Sequence, residues 1–261
     1  MEQRNCCLRV ASGNDSDGVI AILHWPNSRH SLARQLKGVF SCLEAIDTGD
    51  LFDSAEAIGQ SASFERAVAV IDFASMCLTK VAPELKGIRS AFADGRIPRV
   101  RKHSAQLAAL LEVIAEPTFG PVERSLQAIR KLEGSVLYRR ELLHECERAL
   151  RLVLTEEAET LLDASWIVRN RTRRLGRRLP RCGIGSTLLV KGLQFDHAIL
   201  LDVEGYDPAN LYVALTRGSK SLTIVSQSRT IEPRQAPPKP VALPRSGVAD
   251  FEQGSATGRS A

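Results

Sequence analysis

The chain has 261 residues, of which 44% are apolar and 25% charged, and its net charge is +5. That is the profile of one large or two small globular domains, and it excludes collagen, a wholly disordered chain and a pure coiled coil. No stretch approaches the roughly 20 uncharged apolar residues of a membrane span, and the first residues lack the apolar core of a signal peptide, so no membrane partner and a cytoplasmic location are expected.

Residues 1–50 read as a strand–turn–helix unit. The polar stretch Ser12–Gly18 precedes Val19-Ile20-Ala21-Ile22-Leu23, five apolar residues bounded by turn residues, which predict a buried strand. Pro26-Asn27-Ser28 ends it, and Ser28 or Ser31 can cap a helix reaching Phe40. Residues 51–165 change period. Apolar side chains recur at threes and fours, as in Ala67, Val70, Ile71, Ala74 and Leu78, and again from Leu142 to Leu154. Four or five helices packed as a bundle are expected there.

Residues 166–182 are strongly basic, with arginines at 169, 171, 173, 174, 177, 178 and 181. Charges this dense repel one another unless a polyanion neutralises them, so the strip is a candidate phosphate contact, with Arg173, Arg174 and Arg177 at its centre. The sequence pI near 9.0 agrees mildly. Residues 183–230 return to short apolar runs. Strands are expected at 186–190, 198–203 and 222–226, with a helix at 210–218 stopped by Gly218. Strand, crossover and strand imply a parallel α/β sheet. Residues 231–261 hold five of the twelve prolines between 233 and 244, and disorder is expected.

The six cysteines, at 6, 7, 42, 77, 146 and 182, show no chelating spacing, so reduced buried thiols are expected and a zinc site is not. Two segments hold most of the chemistry. Ser186-Thr-Leu-Leu-Val-Lys191-Gly192-Leu-Gln194-Phe-Asp196 is an apolar run entering a Lys-Gly turn, where Gly192 lets a ligand approach the backbone. Asn210-Leu-Tyr-Val-Ala-Leu-Thr216-Arg217-Gly218 sets an arginine at the end of a short helix, placed to stabilise charge on a transferring phosphate.

Together, and in this order, these segments resemble the C-terminal part of UvrD/Rep-type superfamily 1 DNA helicases in the shorter RecD-like variant. There one motif reads roughly Thr-x-His-x-x-Lys-Gly-Leu-Glu-Phe and the next Leu-Tyr-Val-Ala-Leu-Thr-Arg-Ala. Asn27-Ser28-Arg29 is a weaker likeness to the motif that opens the second motor domain. The resemblance implies a RecA-like parallel-sheet domain of the P-loop NTPase superfamily with a helical insertion at 51–165. It implies Arg217 as the arginine finger, Gln194 at the ribose-contacting position and Gly192 in the nucleotide-binding turn. Lys191 belongs to the same turn, which couples nucleotide state to DNA, and Ser186 falls at a nucleic-acid contact. Tyr212, Val213, Leu215 and Phe195 are expected in the core.

The departures are informative. Gln194 replaces a carboxylate, and Leu188 a histidine. The chain has no Gly-Lys dipeptide, hence no phosphate loop, and no Asp-Glu pair for magnesium. ATP and Mg2+ are therefore expected only with a complementary first motor domain, and DNA, single-stranded or at a junction, as the other partner. The alternative is a non-catalytic module that binds nucleic acid or protein. An unrelated α/β enzyme finds less support, because no nucleophile elbow, metal-ligand set or dinucleotide fingerprint is present.

Overall fold

The computed structural model describes residues 2–24, 28–36, 38–44, 49–99, 102–176 and 179–234. Helix α1 (Glu2–Ser12) leads into β1 (Val19–Leu23), then α2 (Ser28–Gln35) and a two-residue strand β2 (Ser41–Cys42). Eight helices follow: α3 (Asp50–Gln60), α4 (Ser63–Cys77), α5 (Val81–Glu84), α6 (Lys86–Ala93), α7 (Ser104–Ala115), α8 (Gly120–Arg130), α9 (Arg140–Leu154) and α10 (Leu161–Leu175). The chain then returns to the sheet through β3 (Cys182–Ser186), α11 (Thr187–Val190), β4 (Phe195–Leu200), α12 (Pro208–Leu215) and β5 (Gly218–Ile224).

The five strands form one all-parallel sheet in the order β2-β3-β1-β4-β5. The chain is thus α/β, as its alternation of strand and helix signals implies. Every residue of β1 is buried, which a strand apolar on both faces requires. Alternation sends Val19, Ala21 and Leu23 to a core shared with α1 and α2, and Ile20 and Ile22 to one shared with α12. The long helices build a separate core of their own, from Leu51 to Val168. All six cysteines are free and buried, as expected. Cys6, Cys7, Cys42 and Cys182 lie in a sheet core, and Cys77 and Cys146 in the helical one.

The sheet and the helical core are tied by charge. Glu44, just past β2, is fully buried, and Arg139, at the start of α9, grips it twice, Nε to Oε1 at 2.8 Å and Nη2 to Oε2 at 2.7 Å. Arg139 Nη2 also reaches Asp50 Oδ2 at 2.5 Å. Burial works against the arginine's charge, and the bonds and charges of Glu44 and Asp50 outweigh it, so its pKa is raised. The Cys42 amide donates to the Tyr138 carbonyl, and the Glu44 amide to Glu141 Oε2, both at 3.0 Å.

Several sequence expectations are corrected. The run 186–190 is not a strand. The strand is Cys182–Ser186, and Thr187–Val190 is a helical turn. A β-carbon on Gly183 would stand 3.0 Å from Ile20 Cδ1, and one on Gly185 3.0 Å from Val190 Cγ1, so small residues fit this strand against its neighbours. The later strands start three or four residues earlier than expected, and Gly218 opens β5 rather than closing the helix. Among the described residues seven helices lie between 50 and 154, where four or five were expected over 51–165, and α10 runs through the expected boundary at 165. Ile231 packs against the sheet core and the Arg234 amide donates to the Tyr206 carbonyl at 2.8 Å, so the start of the expected tail is docked. Residues 235–261 lie outside the described residues. Among the described residues no helix is long and apolar enough to cross a membrane.

Candidate functional site

The two sequence motifs meet at the N-terminal edge of the sheet. The first leaves β3, makes one turn of α11, and passes through Lys191 and Gly192 into β4. Gly192 has φ +80°, a left-handed conformation that glycine adopts without strain and that lets the chain turn. The second motif is α12. Its N-cap Asp207 accepts from the Asn210 amide at 2.9 Å, with Pro208 in the first turn. Thr187 Oγ1 donates to Asn210 Oδ1 at 2.7 Å and joins α11 to α12.

Arg217 follows α12, and its carbonyl accepts from the Phe195 amide at 2.9 Å. The first rung between β4 and β5 therefore joins one motif to the other. The Arg217 side chain is half-buried and folded back. Nε donates to the Val213 carbonyl and Nη1 to the Leu193 carbonyl, each at 2.9 Å, and Nη2 to Thr216 Oγ1 at 2.8 Å. All three acceptors are neutral, and among the described residues no carboxylate pairs with this guanidinium. Its charge is therefore positioned but not cancelled.

Directly after it the strand bulges. Phe195 pairs with Gly218 and His197 with Ser221, so three residues of β5 span two of β4. A β-carbon at Gly218 would lie 2.4 Å from the Ser221 carbonyl, so this bulge requires glycine. Beside it opens a groove of about 590 Å3, lined by Gln194, Asp196, Ser219, Gly18 and Arg181 among others.

A polar network missed in the sequence buttresses this edge. Lys220 Nζ lies 3.0 Å from Asp17 Oδ2 and 3.2 Å from Asp196 Oδ1. The Gly18 amide donates to Asp196 Oδ2 at 2.8 Å. His197, buried, holds Asp17 Oδ2 at 3.1 Å through Nε2 and Ser221 Oγ at 2.7 Å through Nδ1. Hydrogen bonds from Lys220 and His197 pull the Asp17 pKa below the ordinary carboxylate value. The Gly18 amide and Lys220 do the same for Asp196. The order serine, histidine, aspartate resembles a nucleophile relay. Lys220, however, already neutralises the aspartate, and we read the group as a clamp on the edge. No periodicity joins residues 17, 196, 197, 220 and 221, so the sequence carried no signal for it.

The remaining expected residues are dispersed. Gln194 and Lys191 are exposed, Gln194 on the groove and Lys191 on the crossover. Ser186 is at the opposite, C-terminal edge and only 5% exposed, so a nucleic acid cannot reach its side chain in this conformation. Tyr212, expected in the core, is 70% exposed, and Leu188 is 79% exposed, whereas Phe195 is buried as expected.

The arginine strip divides. Arg169 is fully buried, with Nη1 3.0 Å from Glu145 Oε2 but out of hydrogen-bonding line. Arg171 pairs with Glu157 at 3.5 Å, and Arg181 donates to the Asn14 carbonyl at 3.1 Å. Arg173 and Arg174 are exposed on α10. Arg177, Arg178 and Asn27 lie outside the described residues, and Arg29 is buried 3.9 Å from Glu44. Comparison with known protein families, with curated proteins and with solved structures finds no match to this chain.

Proposed function

We propose that this chain is the second motor half of a superfamily 1 ATP-dependent DNA helicase, with a RecA-like sheet. It supplies Arg217 and the Lys191–Gln194 turn to a nucleotide held by a separate first motor domain. One observation carries the reading: the Arg217 carbonyl accepts from Phe195, so the two motifs share one sheet edge, with an uncompensated guanidinium beside Gln194. An arginine held by neutral acceptors can exchange them for phosphate oxygens without breaking an ion pair.

The residues present fit one wall of an ATP site and not the whole of it. The chain offers the Gln194 amide on an open groove and the Arg217 guanidinium on the neighbouring Leu193 carbonyl. It has no Gly-x-x-x-x-Gly-Lys loop to cradle phosphates, and among the described residues no group of three acidic, histidine or cysteine side chains could hold a metal. The phosphate cradle and the magnesium ligands are therefore assigned to the other domain, and no hydrolytic step is assigned to this chain alone.

The test mixes the chain with a first motor domain bearing that loop. ATP turnover should be negligible for the chain alone and appear on mixing with DNA. Arg217→Ala should lower the supported rate by about a thousandfold or more, the usual effect of losing an arginine finger, with DNA binding retained. Rapid turnover by the chain alone would sink the proposal. A second reading, a binding module derived from a helicase, draws on the same side chain, because Arg217 now serves the backbone through three hydrogen bonds. Unchanged supported turnover in Arg217→Ala would select that reading.

A further inference from the structure

Helix α10 carries an aromatic side chain where a helix on this core needs none. Its inner side, Leu161, Ala164, Ser165, Val168 and Arg169, is buried. The outward side carries Trp166, Asn170, Arg173 and Arg174, spaced i, i+4, i+7 and i+8, so they follow one another along one face. Trp166 is 46% exposed. Phe52 of α3, itself half-buried, stacks against the indole with ring centroids 4.2 Å apart and planes at 24°. The indole thus stacks on Phe52 and still exposes close to half of its surface to solvent.

We propose that this face binds single-stranded DNA, with one base stacked on the exposed part of Trp166 and phosphates about three nucleotides along the strand on Arg174 and Arg173. The idea rests on the nucleic-acid part of the function proposed above and names a site for it on the helical core. A planar apolar ring beside cations is what a polyanion with planar bases can use, and a duplex, whose bases are already stacked, cannot. From Trp166 to the arginines is about 11 Å along the helix axis, the rise of some three stacked nucleotides. Among the described residues Arg174 makes no ion pair, so its charge is not spent on the protein.

Carboxylates give the face a direction. Asp163 lies one turn before Trp166 on α10. Glu56 lies one turn beyond Phe52, toward the end of α3 where Gly59 approaches Leu161. Phosphates are repelled there and drawn toward the arginine end. The same carboxylates keep affinity modest and make it steeply dependent on salt.

The experiment uses the full chain with Trp25→Phe, which leaves Trp166 as its only indole. Titration with oligothymidylate should quench Trp166 fluorescence saturably at low salt and reverse as salt is raised. In anisotropy with a dye-labelled strand, Trp166→Leu should weaken binding about tenfold, and Trp166→Phe much less, because a ring is kept. Arg174→Gln should reduce the salt slope by about one. A strand of the same length without bases should bind the parent weakly and bind Trp166→Leu as oligothymidylate does.

Oligothymidylate binding without quenching, and unchanged in Trp166→Leu, would overturn this site while leaving the nucleic-acid reading standing. Equal quenching by polyglutamate would overturn it too, as a face for any polyanion. No binding even at low salt would remove both this site and the DNA-binding part of the proposed function. Arg174→Gln and Trp166→Phe change only exposed side chains, so the test stands if Trp166→Leu fails to fold.

Discussion

The two edges of the sheet treat an arginine in opposite ways. At the C-terminal edge Arg139 is buried and held by Glu44 and Asp50, full charges that cancel its own. At the N-terminal edge Arg217 is half-buried and held by two carbonyls and a hydroxyl, which orient the guanidinium and leave its charge standing. The first arrangement commits an arginine to the fold, because moving it strands a buried carboxylate. The second keeps it in place yet able to change partners. Residue type is the same in both, and the acceptor decides the role.

The largest test of that contrast is Arg139→Met. It removes the two short bonds that Arg139 makes to the buried Glu44 carboxylate, and should cost about 3–5 kcal/mol in urea unfolding. The double variant with Glu44→Gln should recover much of the loss. A cost near zero would mean that the pair is not part of what ties the helical core to the sheet.

At the other edge Gly218→Ala sets a methyl against the Ser221 carbonyl. It should cost about 1–3 kcal/mol by overpacking, although alanine is the residue of the resembling motif. An unchanged melting temperature would show that the bulge beside Arg217 gives way.

The smallest effect is a difference in pH response. Burial, opposed by Glu44, lowers the His30 pKa from 6.5 to about 4. The unfolded chain therefore binds the extra proton first, and stability falls as pH drops from 6.5 toward 4, on the order of 2 kcal/mol. Asp17 and Asp196 have lowered pKa values, so their contribution is present above 3.8 and is lost only in stronger acid. Stability measured against pH should thus show two windows, and His30→Gln should flatten only the upper one.

Much of the sheet was legible in the sequence because β1 is covered on both faces and reads as an unbroken apolar run. Its neighbour β3 was not legible. Cys-Gly-Ile-Gly-Ser has little strand propensity of its own and is selected by how closely it packs on Ile20, Leu43 and Val190. The two motifs could be read as sequence, and their meeting followed from topology. The posture of Arg217 could not be read, since its acceptors are carbonyls that every residue has. Arg139 and Glu44 are 95 positions apart and look like surface residues until the chain folds. The arginine strip misled in part: charge density marked the segment, but helical phase turned Arg169 inward and Arg173 and Arg174 outward.

The buried cysteines give the molecule its own clock. Burial raises the Cys7, Cys42 and Cys146 thiols to about 12, and Cys77 and Cys182 upward as well, so the reactive thiolate is scarce while the fold is closed. An alkylating reagent must wait for an opening. Cys77 and Cys146 time the helical core, and Cys7, Cys42 and Cys182 the sheet, so the order in which the adducts appear tells which half of the molecule breathes first.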